Sequence, residues 1–154
     1  MSKSKVKMPF VGDIKDMGLA QKQHHVNFAR GRHLFMPFTE RIQILNLNGV
    51  SDTAWTDKDV SANVSDAAFA ALLAVFFKDS ASATVEVSAK FRENGASSDG
   101  TGFVFGRHLN NQWQSNQLII PLDADKIFEY SIEASGANTA TLHVYLIGYF
   151  SKIT

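Results

Sequence analysis

From residue 40 onward, short apolar runs alternate with clusters of Asn, Asp, Ser and Gly, and this punctuation constrains the fold more than any other feature of the chain. Runs of that length bounded by turn residues are too short for typical helices and read as strands. The clearest lies at 85–91, where Val85, Val87, Ala89 and Phe91 alternate strictly with Glu86, Ser88 and Lys90. A period of two is the mark of a strand with one buried face. Similar runs are Ile-Gln-Ile-Leu-Asn-Leu at 42–47, ending at the Asn48-Gly49 turn signal, then Phe-Val-Phe at 103–105, Gln-Leu-Ile-Ile-Pro-Leu at 117–122 and Ile-Phe-Glu-Tyr-Ser-Ile at 127–132. Residues 65–78 satisfy two patterns. Phe69, Leu72, Leu73, Phe76 and Phe77 have helical spacing behind a Ser65-Asp66 cap, whereas Leu73, Val75 and Phe77 alternate. A strand forming a hairpin of 69–78 with 83–92 is the expectation preferred here. The last run, 139–150, is apolar on both sides. Leu142, Val144 and Leu146 share one face, and Tyr145, Ile147 and Tyr149 the other. Such a strand lies beneath a covering layer or at a subunit interface, which makes Tyr145, Ile147 and Tyr149 candidate interface residues. Seven or eight short strands at this spacing predict an all-β fold, an antiparallel β-sandwich of jelly-roll type.

The first 39 residues follow a different grammar. They show no sustained period, and Pro9, Pro37, Gly12, Gly18 and Gly31 interrupt them. The segment is nevertheless studded with Phe10, Phe28, Phe35 and Phe38. Each such side chain forgoes about 1.5–3 kcal/mol if left in water. The expected organisation is therefore an extended N-terminal arm, 1–39, and a sandwich domain, 40–154, with the arm docked either on its own sandwich or on a neighbour. Charge divides the same way. Although 15 Lys and Arg balance 15 Asp and Glu, residues 1–36 hold seven basic groups against two acidic ones, and residues 37–154 hold eight against thirteen. A basic arm on an acidic body suits attachment to an acidic surface, such as another copy of the body. The charges are too dispersed for nucleic acid to be the expected partner. The aromatic and basic groups Phe10, Phe28, Arg30, Arg32, Phe35 and Phe38 are the candidate partner-binding residues of the arm. A chain of 154 residues can bury a core without staples, and with no Cys it has no disulfide and no thiolate chemistry. No apolar run reaches the roughly 18 residues of a membrane span, and the first residues lack a secretory core. A soluble chain without membrane contact is the expectation.

Candidate chemistry is sparse. His24, His25 and His33 have no carboxylate close in sequence to complete a metal set, since adjacent residues of an extended chain point apart. The Asp57/Asp59 and Asp123/Asp125 pairs lack the further oxygen ligands of a calcium loop, and Asp123 reads as a turn residue bonding its local backbone. The glycines at 95, 100, 102 and 106 are followed by no Lys-Ser/Thr phosphate signature, and no nucleophile elbow organises the Ser, His and Asp residues. Neither a metal, a cofactor nor a catalytic residue is expected. Trp55, Trp113 and Tyr145 could together stack on a sugar, with the amides of Asn110, Asn111, Gln112 and Gln114 beside them. This marks Trp113, Asn110 and Asn111 as candidate glycan contacts.

Several of these segments occur in a familiar order. A turn at Gly49 is followed by Trp-Thr-Asp-Lys-Asp-Val-Ser at 55–61 and by an Ala-rich apolar strand. Then come Val-Glu-Val-Ser-Ala-Lys-Phe-Arg-Glu-Asn-Gly at 85–95, Ile-Pro-Leu-Asp at 120–123 and a closing Leu-Ile-Gly-Tyr-Phe at 146–150. Over about 42–150 this resembles a β-sandwich module of tailed-bacteriophage virion proteins, of the capsid decoration or cement and tail-fibre-associated kinds. The resemblance implies a non-enzymatic virion structural protein, assembled in the host bacterial cytoplasm. It also implies a homotrimer attached to the major capsid protein or another virion protein. A capsid cement or decoration role is the first expectation. A tail or fibre accessory protein, or a lectin-like module for host surface glycans, is the alternative.

Overall fold

The computed structural model describes residues 33–81, 85–105 and 110–152. Eight strands follow one another: β1 (His33–Val50), β2 (Thr53–Asp59), β3 (Ala68–Asp79), β4 (Ser88–Glu93), β5 (Gly102–Phe105), β6 (Gln114–Pro121), β7 (Ile127–Glu133) and β8 (Ala140–Lys152). A single 3₁₀ turn, Ser61–Asn63, separates β2 from β3. The strands form two four-stranded sheets, ordered β1-β8-β3-β6 and β2-β7-β4-β5. In that order β1 neighbours β8, β2 neighbours β7, β3 neighbours β6 and β4 neighbours β5, the nesting of one long hairpin. Folding it over adds the contacts of β8 with β3 and of β7 with β4. The protein is an all-β antiparallel sandwich with jelly-roll topology. Among the described residues no helix is long and apolar enough to cross a membrane.

Residues 65–78 are resolved in favour of a strand, but not in the expected hairpin. β3 pairs along one edge with β8 and along the other with β6, so it has no edge left for β4. β4 lies in the opposite sheet between β7 and β5. The helical spacing of Phe69, Leu72 and Phe76 reflects a strand with apolar residues on both faces. Leu73, Val75 and Phe77 are fully buried, while Phe69, Leu72 and Phe76 are half-buried. β1 starts at His33, so residues 33–39 run in a strand.

The core lies between the sheets. Phe77, Phe91 and Phe128 are its largest fully buried side chains, and the rings of Phe91 and Phe128 sit 6.2 Å apart. Val87, Ala89 and Phe91 point inward as their alternation requires, and so do Leu142, Val144 and Leu146, whereas Val85 lies ahead of β4 and is 45% exposed. On β1, Leu45 is buried and Ile42, Ile44 and Leu47 pack against the same core. Asp123 ties up its own turn: its carboxylate accepts the Ile127 N–H at 2.8 Å and the Asn94 amide at 2.7 Å.

One buried charge closes the top of the sandwich. Asp79, at the end of β3, is 1% exposed. Its Oδ1 accepts the Ala81 N–H at 2.9 Å and the Ser135 hydroxyl, and its Oδ2 accepts the Ser135 N–H at 3.0 Å and the Thr139 hydroxyl at 2.8 Å. Burial pushes the pKa of this carboxyl up, but the bonds from Ser135, Ala81 and Thr139 outweigh it and hold the group below its ordinary value.

Candidate functional site

The two outer faces of the sandwich differ in chemistry. On β2-β7-β4-β5 two ion pairs form between β4 and β7. Arg92 Nε donates to Glu129 at 2.6 Å, Lys90 Nζ to Glu133 at 2.5 Å, and the Arg92 guanidinium lies 3.9 Å over the ring of Trp55. The Lys90 bond, ahead of the opposing effect of burial, holds the Glu133 carboxyl below its usual value.

The outer face of β1-β8-β3-β6 is built instead from rows of aromatic and aliphatic side chains, because the period-two alternation of β3 and β8 puts apolar residues outward as well as inward. In one row Leu72 pairs with Gly148 of β8 on one side and with Ile119 of β6 on the other. The Phe35 ring seats over Gly148, where an added Cβ would fall 2.7 Å from it. Phe35 also lies 5.0 Å from Phe150. Two rows further along, Phe76 pairs with His143 and with Ser115; between the two, Ala74 pairs with Tyr145 and Gln117.

At that second end Arg41, Phe76, Trp113, His143 and Tyr145 line an open cleft of about 350 Å³. Phe76 meets Tyr145 edge-on at 5.8 Å, and Trp113 lies 5.1 Å from His143. Two cations stand over these rings. The Arg41 guanidinium is 4.2 Å from the Tyr145 centroid and Lys78 Nζ is 5.0 Å from that of Trp113. Asn48 Oδ1 lies 3.1 Å from His143 Nε2, and Lys78 Nζ donates to Asn111 Oδ1 at 3.4 Å. A second shallow depression, at Ser51, Asp52 and 134–137, spends its polar groups internally: Asp52 accepts the Ala134 N–H at 2.7 Å and Ser51 Oγ the Asn138 N–H at 3.1 Å.

The candidate residues therefore fall in several places. Trp113 and Tyr145 do meet, with the exposed Asn111 at their margin, and Asn110 is exposed next to it. Trp55 is separated from them, on the other sheet under Arg92. Tyr145, Ile147 and Tyr149 do not share one face. The pairing of β3 with β8 shifts register between Leu72 and Leu73, so that Ile147 is the extra residue and Tyr149 turns inward to pack on the core, 5.8 Å from Phe38. Phe35 and Phe38 sit on β1 against β8, while Phe10, Phe28, Arg30 and Arg32 lie outside the described residues, as do His24 and His25. Sequence reading missed Arg41, Phe76, Lys78 and His143. The outward alternation of Leu72, Ala74, Phe76 and Lys78 on β3 was the available signal for two of them.

No protein-family model matches this chain, and no curated protein matches it. Solved structures resemble it at low identity. The Tobacco streak virus coat protein aligns with a TM-score of 0.45 and 8% identity over 80% of this chain and 89% of that one. Bacillus endospore appendages, described as disulfide-linked pili, align at 0.37 and 10% over 79% and 89%. Turnip yellow mosaic virus aligns at 0.36 and 16% over 79% and 82%. At these scores the jelly roll rests on this chain's own strand order and not on the likenesses.

Proposed function

We propose that this chain is a non-enzymatic structural protein of a virion, of the capsid cement or decoration kind. Its jelly-roll body associates into a trimer through the Phe35, Leu72 and Ile119 end of the outer face of β1-β8-β3-β6, and the part of its N-terminal arm, residues 1–39, that precedes β1 attaches the trimer to a larger shell. Jelly rolls serve as viral capsid and lectin domains, which makes the topology compatible with both but decisive for neither.

The observation that carries the reading is the apolar row Phe35, Leu72 and Ile119 across that face. Ile119 is 56% exposed, and Phe35 and Leu72 beside it are half-buried. Aliphatic side chains aligned across a sheet and open to water form the kind of patch that a subunit interface covers. The opposite outer face carries the Arg92–Glu129 and Lys90–Glu133 pairs. Light scattering after size exclusion tests the assembly. The full chain should run at three times its 17.0 kDa mass, and Ile119→Asp should run as a folded monomer whose far-UV circular dichroism matches that of the native chain. A native chain that is monomeric at tens of micromolar, or an Ile119→Asp variant that keeps its oligomeric mass, overturns the reading.

A further inference from the structure

We infer that the cleft between Trp113, Tyr145 and Arg41 is a binding site for an acidic saccharide, a pyranose bearing a carboxylate. It lies apart from the apolar row assigned to assembly, toward the β3 end marked by Lys78, and does not depend on that assignment.

Three observations converge on that ligand. First, the cleft, at about 350 Å³, has the size of a small-ligand site, and its lining is aromatic with polar groups at the margin. Trp113 is 46% exposed, a flat apolar surface held in place by His143 on one side and by Lys78 above it. Such a ring accepts the C–H face of a sugar, while Asn48, Asn111 and Ser115 around it offer hydrogen-bonding groups for hydroxyls. Second, the charge is one-sided. Among the described residues no carboxylate lines the cleft, and neither Arg41 nor Lys78 has an ion-pair partner. On the opposite sheet Arg92 and Lys90 are each paired with a glutamate. Arg41, fixed over Tyr145, presents a planar fork suited to a carboxylate. Third, the rest of the body sets a limit on the anion. With eight basic against thirteen acidic groups over 37–154, it repels an extended polyphosphate backbone and favours a ligand whose charge is confined to one or two rings.

The test is an intrinsic-fluorescence titration of the full chain with digalacturonic acid and with N-acetylneuraminyl-lactose. Digalactose of the same linkage and lactose serve as neutral counterparts, and an eight-nucleotide oligo-dT as the phosphate polymer. The expected result is saturable quenching by at least one acidic saccharide, at least tenfold tighter than its neutral counterpart. Binding should fall at least tenfold in both Trp113→Ala and Arg41→Ala and be partly retained in Arg41→Lys. These side chains lie outside the core, and an unchanged melting temperature confirms that each variant is folded. Lys90→Ala, on the opposite sheet, should bind as the native chain does. Failure of every acidic saccharide to bind at millimolar concentration, equal binding of neutral and acidic sugars, or tighter binding of oligo-dT overturns the inference. A trimer that binds no sugar leaves the structural role standing, and a monomer that binds sugar leaves this site standing.

Discussion

Replacing Asp79 by Asn isolates one charge while keeping the shape of the side chain. Each carboxylate oxygen of Asp79 accepts one backbone N–H and one hydroxyl: Ala81 N–H and Ser135 Oγ–H at Oδ1, Ser135 N–H and Thr139 Oγ1–H at Oδ2. An asparagine carries one oxygen and one NH₂. The hydroxyl facing the NH₂ can rotate and accept from it, but the backbone N–H on that side cannot reverse, and it is left facing a donor. An unsatisfied buried donor costs about 1–3 kcal/mol, and the remaining bonds weaken as they lose the charge, by about 0.5–1 kcal/mol. The expected loss is about 2–4 kcal/mol at pH 7, a large share of the ordinary 5–15 kcal/mol of a domain. The pH dependence follows from the sign of the shift. The folded carboxyl titrates below its unfolded value, so its stabilisation is complete above an unfolded pKa of about 3.9 and is lost as pH falls through the lower, folded value. Urea unfolding of the native chain and of Asp79→Asn, followed by circular dichroism, should show a gap in midpoint at pH 7 that holds to about pH 5 and narrows below about pH 4. Equal midpoints at pH 7, or a gap that widens on acidification, would refute the reasoning.

Gly148→Ala should destabilise the protein, although alanine is ordinarily favoured over glycine in a strand by about 0.5–1 kcal/mol. The new Cβ would lie 2.7 Å from the Phe35 ring and 2.8 Å from the Met36 carbonyl, and the second contact is backbone that no side-chain rotation relieves. With overpacking at about 1–3 kcal/mol, a fall in melting temperature of roughly 2–8 °C is expected by calorimetry, and a rise would show that β1 moves aside freely. The two ion pairs of the opposite sheet should behave unequally. Glu129→Ala strands Arg92, whose pair is only 13% and 12% exposed, and should cost about 1–3 kcal/mol. Lys90→Ala, in a pair 22% and 54% exposed, should cost under about 1 kcal/mol. Chemical denaturation checks both, and equal costs would mean that burial is not what separates them.

The site was legible in part. Trp113 and Tyr145 stood out because large aromatics amid amides are conspicuous in any sequence, and they do share the cleft. Trp55 looked equivalent by composition and is not, since β2 and β8 belong to different sheets. Arg41 and His143 carried no local signal. A lone cation and a lone imidazole become a site only when strand pairing sets them beside Tyr145 and Trp113.

What the chain determines by itself is local. Alternation in 87–91 and 142–146 sends Val87, Ala89, Phe91, Leu142, Val144 and Leu146 inward, and Asp123 closes its own turn, because a strand's two faces and an Asx bond are settled within a few residues. Partner choice is not local. Backbone ladders are chemically alike along every strand, so nothing in residues 69–78 distinguishes a hairpin with 83–92 from the observed seat between β8 and β6. That choice is made when both sheets close on one core. The same holds for the register shift that turns Tyr149 inward, since an extra residue in a ladder leaves no mark on the side chains that flank it.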